Sequence, residues 1–106
     1  MNKEISAKEA ANRRESDPDL AFLDVREDSE LEICHIEGAL HIPMGQIPER
    51  SDSLPEDKCI IVFCHHGMRS ANVQQYLEAK GFDKIINLTG GIHAWALEID
   101  PTMRTY

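Results

Sequence analysis

An α/β fold on a parallel sheet, with helices on both faces, is the architecture this sequence predicts. Three observations carry the prediction. The runs Leu20–Val25 and Lys58–Phe63 are apolar on both faces for most of their length, as central parallel strands are. Stretches with helical spacing alternate with such runs, which is the pattern of βα units. No linker, repeat or low-complexity tract interrupts the 106 residues, so residues 1–106 read as one domain.

Taken in order, Ser6-Ala7-Lys8-Glu9 has the form of a capping box and predicts a helix to about Ser16. Its apolar side is mostly alanine, so it should lie close against something flat. Asp17-Pro18-Asp19 ends it, and Leu20–Val25 is a strand. The acidic stretch from Glu27 to Glu32 reads as solvated, with room for a short helix. Ala39–Ile42 is a second strand stopped by Pro43, and Met44–Leu54 a helical turn and loop. Lys58–Phe63 is the third strand. A helix follows from Ala71 to Lys80 with Ala71, Val73, Tyr76, Leu77 and Lys80 as its stripe and Gly81 as its cap. Lys84–Asn87 is a short strand, and Gly90-Gly91 opens a last helix carrying Ile92, Trp95 and Ala96.

Composition excludes several classes of function. The net charge of −8 leaves no basic face for phosphates, so a nucleic-acid partner is not expected. No apolar run approaches the roughly 18–20 residues of a membrane span. The opening Met-Asn-Lys-Glu-Ile-Ser lacks the apolar core of a signal peptide, which makes cytoplasmic residence the expectation. Cys34, Cys59 and Cys64 are an odd set without framework spacing, expected as free thiols in a reducing compartment. Cys59 and Cys64 on one strand would lie about 16 Å apart, too far to bridge. Cys59 therefore reads as a small apolar filler.

Chemistry concentrates in Ile60–Ser70, Ile-Ile-Val-Phe-Cys-His-His-Gly-Met-Arg-Ser. A cysteine at the carboxyl end of a buried strand, just before a helix, meets unpaired backbone N–H groups and the helix dipole. Such a place stabilises an anionic sulfur, and the thiolate is the reactive form. From Lys58 to Leu77 there is no Asp or Glu, although roughly three or four would be expected from 19 acids in 106 residues. Arg69 is placed to attract an anionic substrate and help hold Cys64 ionised. His65 and His66 add donors, or serve only to shape the loop. Asp24 and Arg26 either reach the site or form a structural ion pair at a strand end. Trp95 reads as core, and His35, His41 and His93 as structural or exposed. Cys-His-His on one tight turn converges poorly on a tetrahedral ion, so no metal is expected.

Leu23-Asp24-Val25-Arg26-Glu27, His35–Ala39 with Ile42-Pro43, Cys64–Ser70, and Gly90-Gly91-Ile92-His93-Ala94-Trp95 follow one another along the chain, and in that order the four segments together resemble a single-domain rhodanese. The flanks fit the family's first strand and helix. The resemblance implies a rhodanese-like three-layer sandwich with a central five-stranded parallel sheet. It also implies a sulfurtransferase without cofactor, carrying sulfane sulfur as a Cys64 persulfide. Residues 65–69 would then supply a cradle of backbone N–H groups, which makes His65, His66, Gly67, Met68, Arg69 and Ser70 candidate substrate-binding residues. The family pattern has Gly and Pro where Cys34 and Glu37 stand here, which touches local loop shape rather than the reactive loop.

The expected partners are a small anionic sulfur donor such as thiosulfate and a cyanide or thiol acceptor, with a sulfur-carrier protein as a further candidate. One rival is a phosphatase or arsenate reductase on the same fold. Those related loops resemble Cys-x5-Arg, whereas four residues separate Cys64 from Arg69 here, and the smaller loop suits sulfur. The other rival is a non-catalytic binding module, which typically lacks the nucleophile.

Overall fold

The computed structural model describes residues 3–106. Five strands, β1 (Glu4–Ile5), β2 (Ala21–Asp24), β3 (Leu40–His41), β4 (Ile60–Phe63) and β5 (Ile85–Leu88), form one sheet in the order β1-β5-β4-β2-β3. Every pairing is parallel. The helices between and after them are α1 (Ala7–Ser16), α2 (Asp28–Ile33), α3 (Ile47–Arg50), α4 (Met68–Ala79) and α5 (Gly91–Glu98), with single 3₁₀ turns on either side of α3. Among the described residues no helix is long and apolar enough to cross a membrane.

The central strand β4 sorts its side chains by the two-residue period of a pleated strand. Ile60, Val62 and Cys64 join the core beneath α3 and α4, with Leu23, Ile47, Val73 and Leu77. Ile61 and Phe63 join the opposite core, with Ala7 and Ala10 of α1 and Ile92 and Trp95 of α5. Helix, sheet and helix therefore make three layers. The alanine face of α1 packs against α5, a second helix rather than a flat surface, while Arg14 covers the Phe22 ring at 5.3 Å.

The ends of elements differ from the sequence reading in informative places. The first strand is only two residues long and is held by β5, through Glu4 opposite Asn87 and Ile5 opposite Leu88. Ser6 accepts from the Glu9 amide at 3.2 Å and caps α1. Helix α4 begins at Met68 rather than after Ser70, because Gly67 takes a left-handed φ of 118° and turns the loop straight into the first turn. Its buried face is Ser70, Val73, Gln74 and Leu77, while Lys80 is exposed. Gln74 replaces Ala71 on that face because its side-chain amide satisfies the Lys3 and Ile85 carbonyls at 2.8 and 3.1 Å. Gly81 ends the helix as expected, at φ 107°.

Candidate active site

Strand β4 delivers Cys64 to the carboxyl edge of the sheet, between β2 and β5, where open α/β sheets place their sites. The residue is 1% exposed. Three donors face its sulfur: the Gly67 amide at 3.1 Å, the Ser70 amide at 3.4 Å and the Ser70 hydroxyl at 3.3 Å. The first of these caps α4 and the second lies in its opening turn, so helix and loop point the same positive groups at one atom.

The loop keeps this shape because α5 pulls its carbonyls the other way. The amides of Ile92 and His93 donate to the carbonyls of Cys64 and His65 at 2.9 and 3.1 Å. Oxygens engaged there cannot crowd the sulfur. Gly91 makes the approach possible, since a Cβ at that position would run into the Cys64 and His65 carbonyls. Gly91, the first residue of α5, is thus part of the site, and the sequence marks it only as half of a helix opening.

A second brace comes from β5. Asn87 accepts from the Ser70 hydroxyl at 2.6 Å and donates to the Gly67 carbonyl at 3.2 Å. The hydroxyl has one proton to divide between Asn87 Oδ1 and Cys64 Sγ, so it can turn toward the sulfur when the sulfur is anionic. Sequence reasoning missed Asn87. The available signal was a polar residue inside the apolar run Ile85–Leu88, and it is buried.

Electrostatics around the loop depend on residues far apart in sequence. Arg69 forms a two-pronged pair with Glu30 of α2, at 2.6 and 2.8 Å. That bond holds the Arg69 guanidinium protonated well above its ordinary range despite partial burial. It also holds the Glu30 carboxyl far below the usual carboxylate range, against the opposing effect of burial. The segment around Cys64 lacks acids along the chain, yet the fold returns one to Arg69. Tyr106 donates to Glu30 Oε2 at 2.6 Å and accepts from Arg26 at 2.9 Å. Arg26 in turn pairs with Asp24 at 2.8 Å. Neither Glu30 nor Tyr106 carried a sequence signal.

The remaining predicted residues fall as follows. His65 is half-buried and stacks on Tyr106 with ring centroids 3.8 Å apart. Burial pushes its imidazole pKa down, and His66 beside it pushes the same way. His66 is exposed, and Met68 stands 82% exposed beside the loop. Asp24 and Arg26 form a buried ion pair, and Arg26 bonds the Tyr106 hydroxyl and the Glu30 carbonyl, which link it toward Arg69. Trp95 is core, edge-on to Phe22 at 5.6 Å. His35 is exposed, and His41 bonds the Arg26 carbonyl at 2.7 Å. His93 joins His65 and His66 instead of standing alone. All three cysteines are free thiols. Cys34 is buried, with its carbonyl accepting from Arg26 at 2.8 Å. Cys59 is half-buried near Arg13, at the opposite end of β4 from Cys64.

Comparison with known proteins agrees with this fold. The sequence pattern of the Rhodanese-like domain family matches residues 6–98. A protein of Bacillus subtilis (strain 168), YtwF, whose name assigns it provisionally to the sulfurtransferases, is 44% identical over 99 residues, 93% of this chain and 95% of that one. The thiosulfate sulfurtransferase GlpE of Coxiella burnetii (strain RSA 331 / Henzerling II) is 36% identical over 77 residues, 73% of this chain and 72% of that one. The crystal structure of a rhodanese-like domain protein from Staphylococcus aureus superposes with a TM-score of 0.85 at 35% identity, covering 98% of both chains. A parallel five-stranded sheet, a buried cysteine at the end of its central strand and these relatives agree: the chain belongs to the rhodanese-like domain family, in which named relatives are sulfurtransferases.

Proposed function

We propose that this protein moves sulfane sulfur from an anionic donor such as thiosulfate to a cyanide or thiol acceptor, through a persulfide on Cys64. The observation that carries the reading is the ring of Gly67 and Ser70 donors within 3.4 Å of Cys64 Sγ. Cys64 thiolate attacks the outer sulfur of thiosulfate. The new S–S bond forms as the old one breaks, and sulfite leaves with the bonding pair. The persulfide keeps one negative charge, which the loop N–H groups stabilise as they would an oxyanion. A cyanide or thiolate then takes the outer sulfur and returns Cys64 to the thiolate.

In this scheme Gly67 and Ser70 hold the charge, and Asn87 and Gly91 hold the loop. His65, His66 and Met68 line its mouth, and Arg69 supplies a positive charge moderated by Glu30. Asp24 and Arg26 support the loop from behind. The exposed mouth suits a small donor and leaves room for a sulfur-carrier protein. A reducing compartment, the cytoplasm, suits three free thiols. The phosphatase reading needs an arginine free to clamp a tetrahedral oxyanion, and Arg69 is committed to Glu30.

Intact-mass spectrometry after exposure to thiosulfate is the direct test. The expected result is a gain of one sulfur atom, absent in Cys64→Ser; an unmodified native protein would overturn the proposal. Turnover of an artificial aryl phosphate would favour the phosphatase, and essentially none is expected.

A further inference from the structure

Three histidines meet beside the reactive loop. His65 and His66 directly follow Cys64, and His93 enters from the first turn of α5, anchored by its amide to the His65 carbonyl at 3.1 Å. Ring centroids are 4.0 Å apart for His65 and His66, 4.9 Å for His66 and His93, and 6.0 Å for His65 and His93. Each residue offers a ring nitrogen within 4.8 Å of those of the other two. His65 Nε2 and His93 Nδ1 are both buried and have no hydrogen-bond partner among the described residues.

Packing alone does not account for those two atoms. A buried polar group left unpaired costs about 1–3 kcal/mol, and native interiors rarely keep one without a use. Three imidazoles this close together, two of them carrying a buried unpaired nitrogen, make a candidate donor set for an acceptor of lone pairs. Imidazole is the commonest metal ligand and suits Zn²⁺, Cu²⁺ and Ni²⁺. Tyr106 lies flat on His65, with 5° between the rings, and so fixes the plane of that ring. Coordination takes place in the ring plane, so the stacking orients the ligand without blocking it. Zn–N bonds of 2.0–2.1 Å in a tetrahedral site put nitrogens about 3.3 Å apart. Ligation therefore draws the rings closer than they stand: His66 is exposed and free to turn inward, and His93 has to approach the ring that Tyr106 holds.

We propose that His65, His66 and His93 form a binding site for one borderline divalent cation, Zn²⁺ or Cu²⁺ in class, with the fourth position left to water or an anion. The sequence expectation of no metal rested on the poor convergence of adjacent residues on one turn and on the want of a second cluster; His93, from the first turn of α5, supplies the further ligand. Since two of the three ligands are loop residues, an occupied site stiffens the loop and adds positive charge at its rim. The site does not depend on sulfur transfer, and it is separable from Cys64 by experiment.

Calorimetric titration of Zn²⁺ into the full-length Cys64→Ser protein tests it, with Co²⁺ as an optical probe. The expected result is one ion per chain, bound about tenfold or more weakly after His66→Ala and after His93→Ala. His35→Ala leaves the affinity unchanged, and the Co²⁺ spectrum lacks a thiolate charge-transfer band. His66 is exposed, so its replacement does not threaten the fold. The proposal is overturned by the absence of saturable binding, by a smaller loss in either variant, or by a thiolate band placing the ion on Cys34 or Cys59.

Discussion

Two arginine–carboxylate pairs stand behind the same loop, joined through Tyr106, and they share their chemistry but not their surroundings. Asp24 and Arg26 are sealed, with side chains 2% and 0% exposed, while Glu30 and Arg69 keep 16% and 33%. Burial opposes the Arg26 charge, and its hydrogen bonds to Asp24 and Tyr106 outweigh that opposition and hold it protonated. Arg26 also bonds the Glu30 and Cys34 carbonyls, at 3.2 and 2.8 Å, so it ties β2 to both ends of α2. The inner pair is scaffold. The outer pair sets the charge beside the reactive loop, which in the proposed function is what a donor meets. Burial, rather than the residue types, divides the two roles.

The largest effect should come from breaking the inner pair. Arg26→Leu strands Asp24 as an uncompensated buried charge, a loss of about 3–5 kcal/mol of stability. Arg69→Leu, at the partly exposed pair, should cost about 1 kcal/mol or less. Urea denaturation of both variants checks this, and equal losses would erase the distinction between them.

Next in size is Asn87→Ala, which leaves both pairs intact and loosens the loop they surround. Direct loss of an oxyanion donor costs 10²–10³ in rate, and Asn87 acts one step removed. Persulfide formation should slow about tenfold in kcat with little change in KM for thiosulfate, as single-turnover kinetics would show. A purely structural role would lower stability and leave kcat per folded molecule unchanged.

Local features of the sequence were legible to the extent that their causes are local. Strand β4 announces itself because four consecutive buried residues need no partner to be apolar, and Cys64 follows from it. The glycines at the start of α5 were visible as a helix opening, but the closeness of Gly91 to the Cys64 and His65 carbonyls exists only once α5 has docked. The acid-free count around Cys64 was correct along the chain and incomplete in space. Glu30 and Arg69 are 39 positions apart, and a parallel sheet brings them together by setting every loop that follows a strand at one edge. Tyr106, 76 positions from Glu30, lies still further beyond any local pattern. The start of α4 was misplaced for a smaller reason: Met68 and Arg69 have no helical signal of their own, and Gly67 supplies it.

A smaller, kinetic effect separates the pairs by charge. Glu30→Gln releases Arg69 from its carboxylate, and the free guanidinium then draws thiosulfate more strongly. KM for thiosulfate should fall about threefold at low salt, and the gain should fade as ionic strength rises toward a Debye length of about 8 Å. Steady-state kinetics across a salt series checks both halves. An unchanged KM would make Arg69 a brace for the loop, like Arg26 beneath it.

The smallest effect belongs to the link itself. Tyr106→Phe keeps the ring on His65 and removes only the hydroxyl between Arg26 and Glu30, so the loss should be about 0.5 kcal/mol for a partly exposed hydrogen bond. Its pH dependence is more telling than its size. Burial and the bond to Glu30 push the Tyr106 phenol up to about 12. A folded-state pKa above the unfolded value near 10 means the contribution is complete below pH 10 and is lost as pH rises through about 12. The stability difference between native protein and Tyr106→Phe should therefore be constant from neutrality to about pH 10 and then shrink. Chemical denaturation at a series of alkaline pH values measures it. If the difference disappears already near neutral pH, the hydroxyl does not join the two pairs, and they act on the loop independently.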